Sequence, residues 1–460
     1  MFFISCDNGN DIQIIIPPEP PVQESFKITD FESAETCKQC HPNHYDEWSG
    51  SMHAYALKDP LWYALHSKEQ AHSQKNGEDL GQFCIMCHSP SAFLTNAIPD
   101  PASLTYESSD ILDPLILEGI TCSTCHAVVQ ASPMTNVDKT TGNFSAIDYF
   151  FNTDSVTHVK YGSIEDPVSS AYHHSEYNNI YRESKYCMGC HNLSIDGVGV
   201  ETTFEEWNNT PYQAMGFECQ TCHMRSYEGY AVDTMIVQGA PLRNNLHRHN
   251  FAGIDQALTE FEQEDAQREA IYDLLSTAAD IDIVSNIPDS VHSGDTLTFA
   301  VSIANNAGHN LPTGVTFSRQ LWLEVVASSN GNTFYESGHL DESRDLHDFY
   351  VDPSRQEDPD LALFNTVLYN AAGDSGLRNV SVERMVHKSD YTIPTSASKI
   401  VSYEIAIPED VSNDLNISAR LRFRALPPFY LRELVPGADE SKLTIFDLDS
   451  ALVKIPLVQN

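Results

Sequence analysis

Two patterns of apolar spacing divide the chain. From Asp295 to Asn306 (DTLTFAVSIANN) apolar and polar residues alternate, and Gln320–Ala327 (QLWLEVVA) and Lys399–Ile407 (KIVSYEIAI) do the same. Ile417–Ala425 (ISARLRFRA) follows suit, with turn clusters such as SSNGN from Ser328 between the runs. A period of two places one face of each segment against a core, so these are predicted strands of an all-β, immunoglobulin-like sandwich over 281–460. Before them, Gln256–Ala279 carries Leu258, Phe261, Ala266, Ala270, Ile271, Leu274 and Leu275 at mostly helical spacing. This predicts a connecting helix over 256–280.

Residues 26–255 show neither period clearly, which predicts a loop-rich, mostly α domain of short helices. The first 25 residues differ again. MFFISC is apolar and places Cys6 after a small residue, as a lipoprotein cleavage site does, and IIIPPEPPVQESF is proline-rich. This predicts a shortened signal with an acylated Cys6 and an extended tether over 1–25. No run of about 18 apolar residues is present, so no spanning helix is predicted.

Cysteine supplies the chemistry. Ten of the eleven cysteines fall in CKQCH (Cys37, Cys40, His41), CIMCH (Cys84, Cys87, His88), CSTCH (Cys122, Cys125, His126), CMGCH (Cys187, Cys190, His191) and CQTCH (Cys219, Cys222, His223). Two thiols three positions apart lie on one helical turn and can add to the two vinyl groups of a single haem. The histidine that follows then lies beneath the iron as proximal ligand. Zinc sites use paired cysteines without needing histidine after each pair, and redox Cys-x-x-Cys motifs occur singly. Five such pentads predict five covalently attached c-type haems. Because such haems are attached outside the cytoplasmic membrane, the protein is expected to be exported, to the periplasm or the cell surface. A fivefold haem load would itself form much of the core of 26–255.

The formal net charge of −39 argues against a nucleic-acid partner, because phosphates would be repelled. It suits basic partners and cations, Ca2+ among them.

CKQCHPNHYDEWSGSMHAYA resembles the opening motif of a multihaem cytochrome c superfamily. That group includes the tetrahaem electron carrier of ammonia oxidisers and the octahaem hydroxylamine oxidoreductases. FCIMCHSP, GITCSTCH and TFEEWNNTPYQAMGFECQTCHM look like its second, third and fifth motifs. HRHNFAG from His247 looks like a downstream ligand segment, and GHNLPTG from Gly308 like the marker of a C-terminal β-domain found in a subgroup. The resemblance implies His53, after Trp48 and Ser51, as a distal ligand that crosses to a neighbouring haem. It implies His249 next, with His247 close behind. AYHHSEY offers His173 or His174, with His174 preferred. The fifth position stays open between His309, reaching back from the β-domain to lock the two domains, and His158, His66 and His72. His44, one turn after His41, is expected to point away from its haem. His292, His339, His347 and His387 are read as solvated or hydrogen-bonded. Trp48, Trp207, Tyr45 and Tyr212 are expected to wall haem pockets.

Two imidazoles on each iron leave no open site and suit a relay. The primary expectation is therefore an electron carrier that serves redox partner proteins or extracellular acceptors, with self-assembly into a filament as a variant. The alternative is an oxidoreductase of small nitrogen or sulfur compounds that keeps one iron open. A Cys-x-x-Cys-Lys motif is absent. A third reading gives the β-domain the binding role, with the haems delivering electrons to it.

Overall fold

The computed structural model describes residues 26–458 apart from 76, 78, 132–148, 152–157, 196–197, 285–286, 348–357, 377–379 and 381–384. Cys6 and the expected tether lie outside the described residues. Among the described residues, no helix is long and apolar enough to cross a membrane.

The N-terminal region is a series of short helices tied by loops. Each cysteine pair sits on or beside one of them: Ala34–Lys38, Phe83–His88, Cys122–Cys125, Lys185–Met188 and Cys219–His223. Local capping defines several of these turns. Ser33 accepts the backbone N–H of Glu35, and Thr121 accepts that of Thr124 at 3.1 Å. Such caps satisfy otherwise orphaned N–H groups at a helix start. One longer helix, Pro60–Lys75, crosses behind the second motif. The region also holds four two-stranded sheets, among them Val159–Gly162 paired in parallel with His174–Tyr177. It is thus less purely helical than its aperiodic sequence predicts. Its apolar clusters are small, one of them built on Leu57, Trp62, Tyr63 and Ile85 and another on Ala34, Trp48 and Ala54.

The C-terminal region is β-rich. A three-stranded antiparallel sheet runs Ser398–Ala406, Thr296–Asn305, Ala279–Val284. A five-stranded sheet runs Asn332–Ser337, Gln320–Ser329, Leu415–Arg424, Phe446–Ile455, with Leu363–Phe364 also paired to Gln320–Ser329. Phe299, Val301 and Ile303 from the first sheet and Leu323, Val325, Ile417 and Leu421 from the second belong to one buried cluster. The alternation read in the four predicted strands matches observed strands to within two residues at each end, because a half-buried strand needs that period. Phe446–Ile455 alternates too and closes the larger sheet.

The connecting helix is shorter than predicted. It spans Glu264–Leu275. Leu258, counted in the predicted helix, lies before it in a cluster with Phe429, Tyr430 and Leu443. The side chain of Gln267 explains how the preceding segment is held off the helix. It accepts the N–H of Ala257 at 2.9 Å and donates to the carbonyl of Gly50 at 3.1 Å.

The two regions are joined by specific contacts. Arg319, 8% exposed, makes a two-pronged ion pair with Asp255 at 2.5 and 2.9 Å. Glu206 accepts the N–H of Asn310 at 3.1 Å and the hydroxyl of Thr313 at 2.6 Å. Tyr212 donates to the carbonyl of Asn306 at 2.6 Å. These last contacts fix the loop that carries His309.

Candidate haem sites

All ten motif cysteines and all five motif histidines line one continuous cavity of about 1490 Å³. The fit of haem to this space rests on the histidines around it. In a trans pair on one iron each metal–nitrogen bond is about 2.0–2.1 Å long, and each ring centre lies about 1 Å further out, so the ring centres stand about 6–6.5 Å apart. Five ring pairs with a motif histidine meet that spacing; one, His41 and His44 at 6.2 Å, joins residues three positions apart at one helix start, and the other four join distant segments across the cavity. His41 faces His173 at 6.2 Å and His126 faces His249 at 6.3 Å. His191 faces His53 at 6.5 Å and His223 faces His309 at 6.3 Å.

The hydrogen bonds agree with ligation through Nε2. A carbonyl can only accept, so a ring nitrogen bonded to one must carry the proton, and the other nitrogen keeps its lone pair. Nδ1 of His41 donates to the carbonyl of Ala231 at 2.7 Å, that of His126 to Tyr161 at 2.6 Å, and that of His223 to Ala252 at 2.6 Å. The facing rings repeat the pattern: His173 to His174, His249 to His247, and His309 to Asn310, at 3.1, 2.9 and 2.9 Å. Such outer-shell bonds orient metal-binding imidazoles. Burial holds His53 down to about 3, His126 and His223 to about 4, and His249 well below the ordinary histidine range. These rings are therefore neutral near pH 7, as ligation requires. The buried Nδ1 of His53 has no hydrogen-bond partner.

His88 is different. Its Nδ1 donates to the carbonyl of Ala56 at 3.3 Å. The ring of Trp62 packs beside it at 5.4 Å, and Trp62 stacks in turn on His66 at 4.9 Å. Nε2 of His66 donates to the carbonyl of Pro101 at 2.8 Å, so its lone pair sits on Nδ1. Among the described residues, no imidazole opposes His88 at the spacing of the other four pairs.

The remaining candidates sort by placement. His173, and not the preferred His174, lines the cavity; His174 opens a strand and is exposed. The two alternate along one extended segment, so only one of them reaches the interior. His247 lines the cavity with Nδ1 donating to Met224, but it pairs with no motif histidine. His158 is exposed. His44 does not turn away as expected. It lines the cavity, packs on His249 at 4.6 Å and meets the Tyr227 hydroxyl at 3.1 Å. Trp48 and Trp207 are buried, line the cavity and donate to the carbonyls of Ile120 and Phe217, each at 2.8 Å. Among the described residues, no cluster of three or more His, Cys, Asp or Glu side chains is placed to hold a bare metal ion. The Ca2+ expectation therefore finds no support.

Cysteines of different motifs also meet. The sulfur of Cys37 lies beside Cys122, that of Cys87 beside Cys190, and that of Cys187 beside Cys219. Motifs one and three, two and four, and four and five are thus side by side. Sequence spacing carries no signal for these meetings, nor for Trp62 beside His88.

Gly119 shows how closely the third motif is fitted to His53. Its φ is +70°, and a Cβ there would lie 2.5 Å from the carbonyl oxygen of His53. The same carbonyl accepts the N–H of Ile120 at 3.1 Å. Gly119→Ala is expected to destabilise the haem-loaded protein by about 1–3 kcal/mol and to disturb the seat of His53. Thermal unfolding with the high-spin fraction recorded alongside checks it, and an unchanged melting curve would contradict the reading.

Residues 36–127, which hold the first three motifs, match the family model described as cytochrome c554 and c-prime. No curated protein matches the chain. Among solved structures, a pentahaem cytochrome c552 from Thermochromatium tepidum shares 20% identity over 94% of this chain and 100% of its own, with a TM-score of 0.60. That likeness establishes a common fold. Spo0M, a sporulation control protein of Bacillus subtilis, shares 8% identity over 40% of this chain and 50% of its own, and its TM-score of 0.17 carries no argument. The repeated motifs, the family match across three of them and the shared fold together support a multihaem electron-transfer cytochrome with covalently bound haem c.

Proposed function

We propose that the protein is an exported pentahaem cytochrome that relays electrons, with four of its irons held between two histidines. Cys37, Cys40 and His41 hold the first haem with His173 opposite. Cys122, Cys125 and His126 hold the third with His249. Cys187, Cys190 and His191 hold the fourth with His53, and Cys219, Cys222 and His223 hold the fifth with His309. The observation that carries this reading is the spacing of the four ring pairs, 6.2–6.5 Å. Haem c would supply a one-electron couple, and two imidazoles per iron would keep it low-spin with little reorganisation.

The residues of this chain define where electrons can pass. The thiol contacts put the fourth motif beside both the second and the fifth, and the first beside the third. This supports a relay with the fourth site at its hub. The strongly acidic surface suits a basic redox protein as partner. Export is proposed from the chemistry of haem attachment and acylation at Cys6 from the N-terminal sequence, with extracellular acceptors and self-assembly as variants of the same relay. The two packed β-sheets are proposed as an immunoglobulin-like sandwich that serves docking or spacing.

A second reading is favoured by one observation. His88 has Trp62 beside it and, among the described residues, no imidazole opposite, which supports an open iron at the second motif and hence an oxidoreductase of small nitrogen or sulfur compounds. The ferrous protein is expected to bind carbon monoxide at about one haem in five, seen as a partial shift of its optical spectrum beside low-spin signals from the rest. Carbon monoxide at two or more haems would break the proposed pairing. A spectrum indifferent to carbon monoxide would remove the open iron and leave the relay alone.

A further inference from the structure

The helix that supplies Trp62 begins at a half-buried acid that lines the haem cavity. Asp59 caps the Pro60–Lys75 helix, its Oδ1 accepting the N–H of Leu61 at 2.9 Å. Asp59, Trp62 and His66 stand at i, i+3 and i+7, on one helical face. All three line the haem cavity. Trp62 is the residue packed on His88, so the carboxyl lies one turn from the wall of the second haem site.

The surroundings of this acid lack a compensating cation. Tyr55 approaches from the Met52–Tyr55 helix, its hydroxyl held by Thr259. Asp255 approaches from the segment before the connecting helix, and its charge reaches both Asp59 and His88. The guanidinium that pairs with Asp255, Arg319 of the β-rich region, is committed to that carboxylate and to the carbonyl of Ala425 at 2.9 Å. Among the described residues, no cation forms an ion pair with Asp59; the neighbouring Lys58 is exposed. His66 and His88 are the other titratable groups of the pocket. Burial lowers His66 and holds His88 down to about 4, so both are neutral near pH 7.

We propose that Asp59 is the proton acceptor of the second haem site, taking up one proton from solvent when that haem gains one electron and releasing it when the electron leaves. The balance is one electron from a reductant and one proton from bulk water, with no other bond made or broken. An added electron places negative charge beside a carboxylate that has no cation to share it. Protonation is the remaining way to neutralise the pocket. Burial raises the Asp59 carboxyl to about 7, so the group already stands in the physiological range before any electron arrives. The sign follows. Reduction raises its proton affinity further. The potential of this haem is level below that range and falls as pH rises through it.

The experiment is potentiometry of the full haem-loaded protein with a chemical reductant, between about pH 6 and pH 9, followed by optical and electron paramagnetic resonance spectra. In the wild type one of the resolved components is expected to fall with pH, approaching a tenfold change in equilibrium per pH unit, about 59 mV for a one-electron couple. In Asp59→Asn the slope of that component is expected to vanish, with its potential near the wild-type value at low pH. Asparagine is neutral like the protonated acid, and it also caps helices well, so the fold is kept. Infrared difference spectra supply a second readout. A protonated carboxyl band should appear on reduction of the wild type and be missing in the variant. A slope that survives in Asp59→Asn, or a wild type whose potentials ignore pH, overturns the proposal. The inference rests on a haem at Cys84, Cys87 and His88. A count of covalent haem on the same samples separates failure of that assignment from failure of the proton claim.

Discussion

His53→Ala is expected to turn one low-spin haem high-spin and to slow the exchange of electrons across the protein at least tenfold. His53 is half-buried, neutral and set 6.5 Å from His191. The fourth motif is the proposed hub, since Cys190 lies beside Cys87 and Cys187 beside Cys219. Losing an imidazole there would change the spin state, raise the reorganisation on electron transfer and shift the potential of the site that two others adjoin. Covalent haem content should stay the same, because Cys187, Cys190 and His191 are intact. The variant should bind carbon monoxide at one more haem than the wild type, and added imidazole should restore the low-spin spectrum. Excision of the ring also costs stability, about 2–5 kcal/mol by analogy with other large-to-small changes; His53→Gln, closer in size, controls for that. Spectra indistinguishable from wild type in both variants would remove His53 from the iron.

His309→Ala is the second large effect, because it touches both the fifth haem and the joint between the regions. The ring of His309 lies 6.3 Å from that of His223 and nearly parallel to it, at 20°. Its loop is pinned by Glu206 to Asn310 and Thr313 and by Asn305, which donates to the carbonyl of His309 at 2.9 Å. A ligand bond across the joint stabilises only the docked state, so its loss weakens docking by mass action. The variant should again show one additional high-spin haem. It should also be cut by a protease in residues 256–263 at least tenfold faster than the wild type, and its single unfolding transition should split into two. Thr313→Ala removes one docking hydrogen bond and no ligand. It should loosen the joint by roughly 0.5–1.5 kcal/mol while every haem stays low-spin. A low-spin fifth haem in His309→Ala would place the sixth ligand elsewhere.

The resemblance implied His53 and His249, and the structure places each opposite a motif histidine. It also pointed to His309 as a reach across the domain joint, and the ring spacing to His223 supports that. Of His173 and His174, the structure places His173 and not the preferred His174 in the cavity, since neighbouring residues of an extended segment look alike in sequence while only one faces inward. The helix predicted from Leu258 onwards began later because Leu258 packs beneath Phe429 and Tyr430, contacts made by residues far along the chain.

What sequence alone determined is what local chemistry and local period can encode. Two thiols and a histidine within five residues define a haem attachment wherever the chain later goes, and a half-buried strand must alternate wherever its partner lies. What only tertiary structure decided are the relations between distant segments: which imidazole faces which, which motifs touch, that His88 meets an indole, and that Asp59 is half-buried without a cation. A sixth ligand is chosen by position in space. Any of the histidines in this chain offers the same nitrogen, and the fold decides which of them stands at 6.2–6.5 Å from a proximal ring.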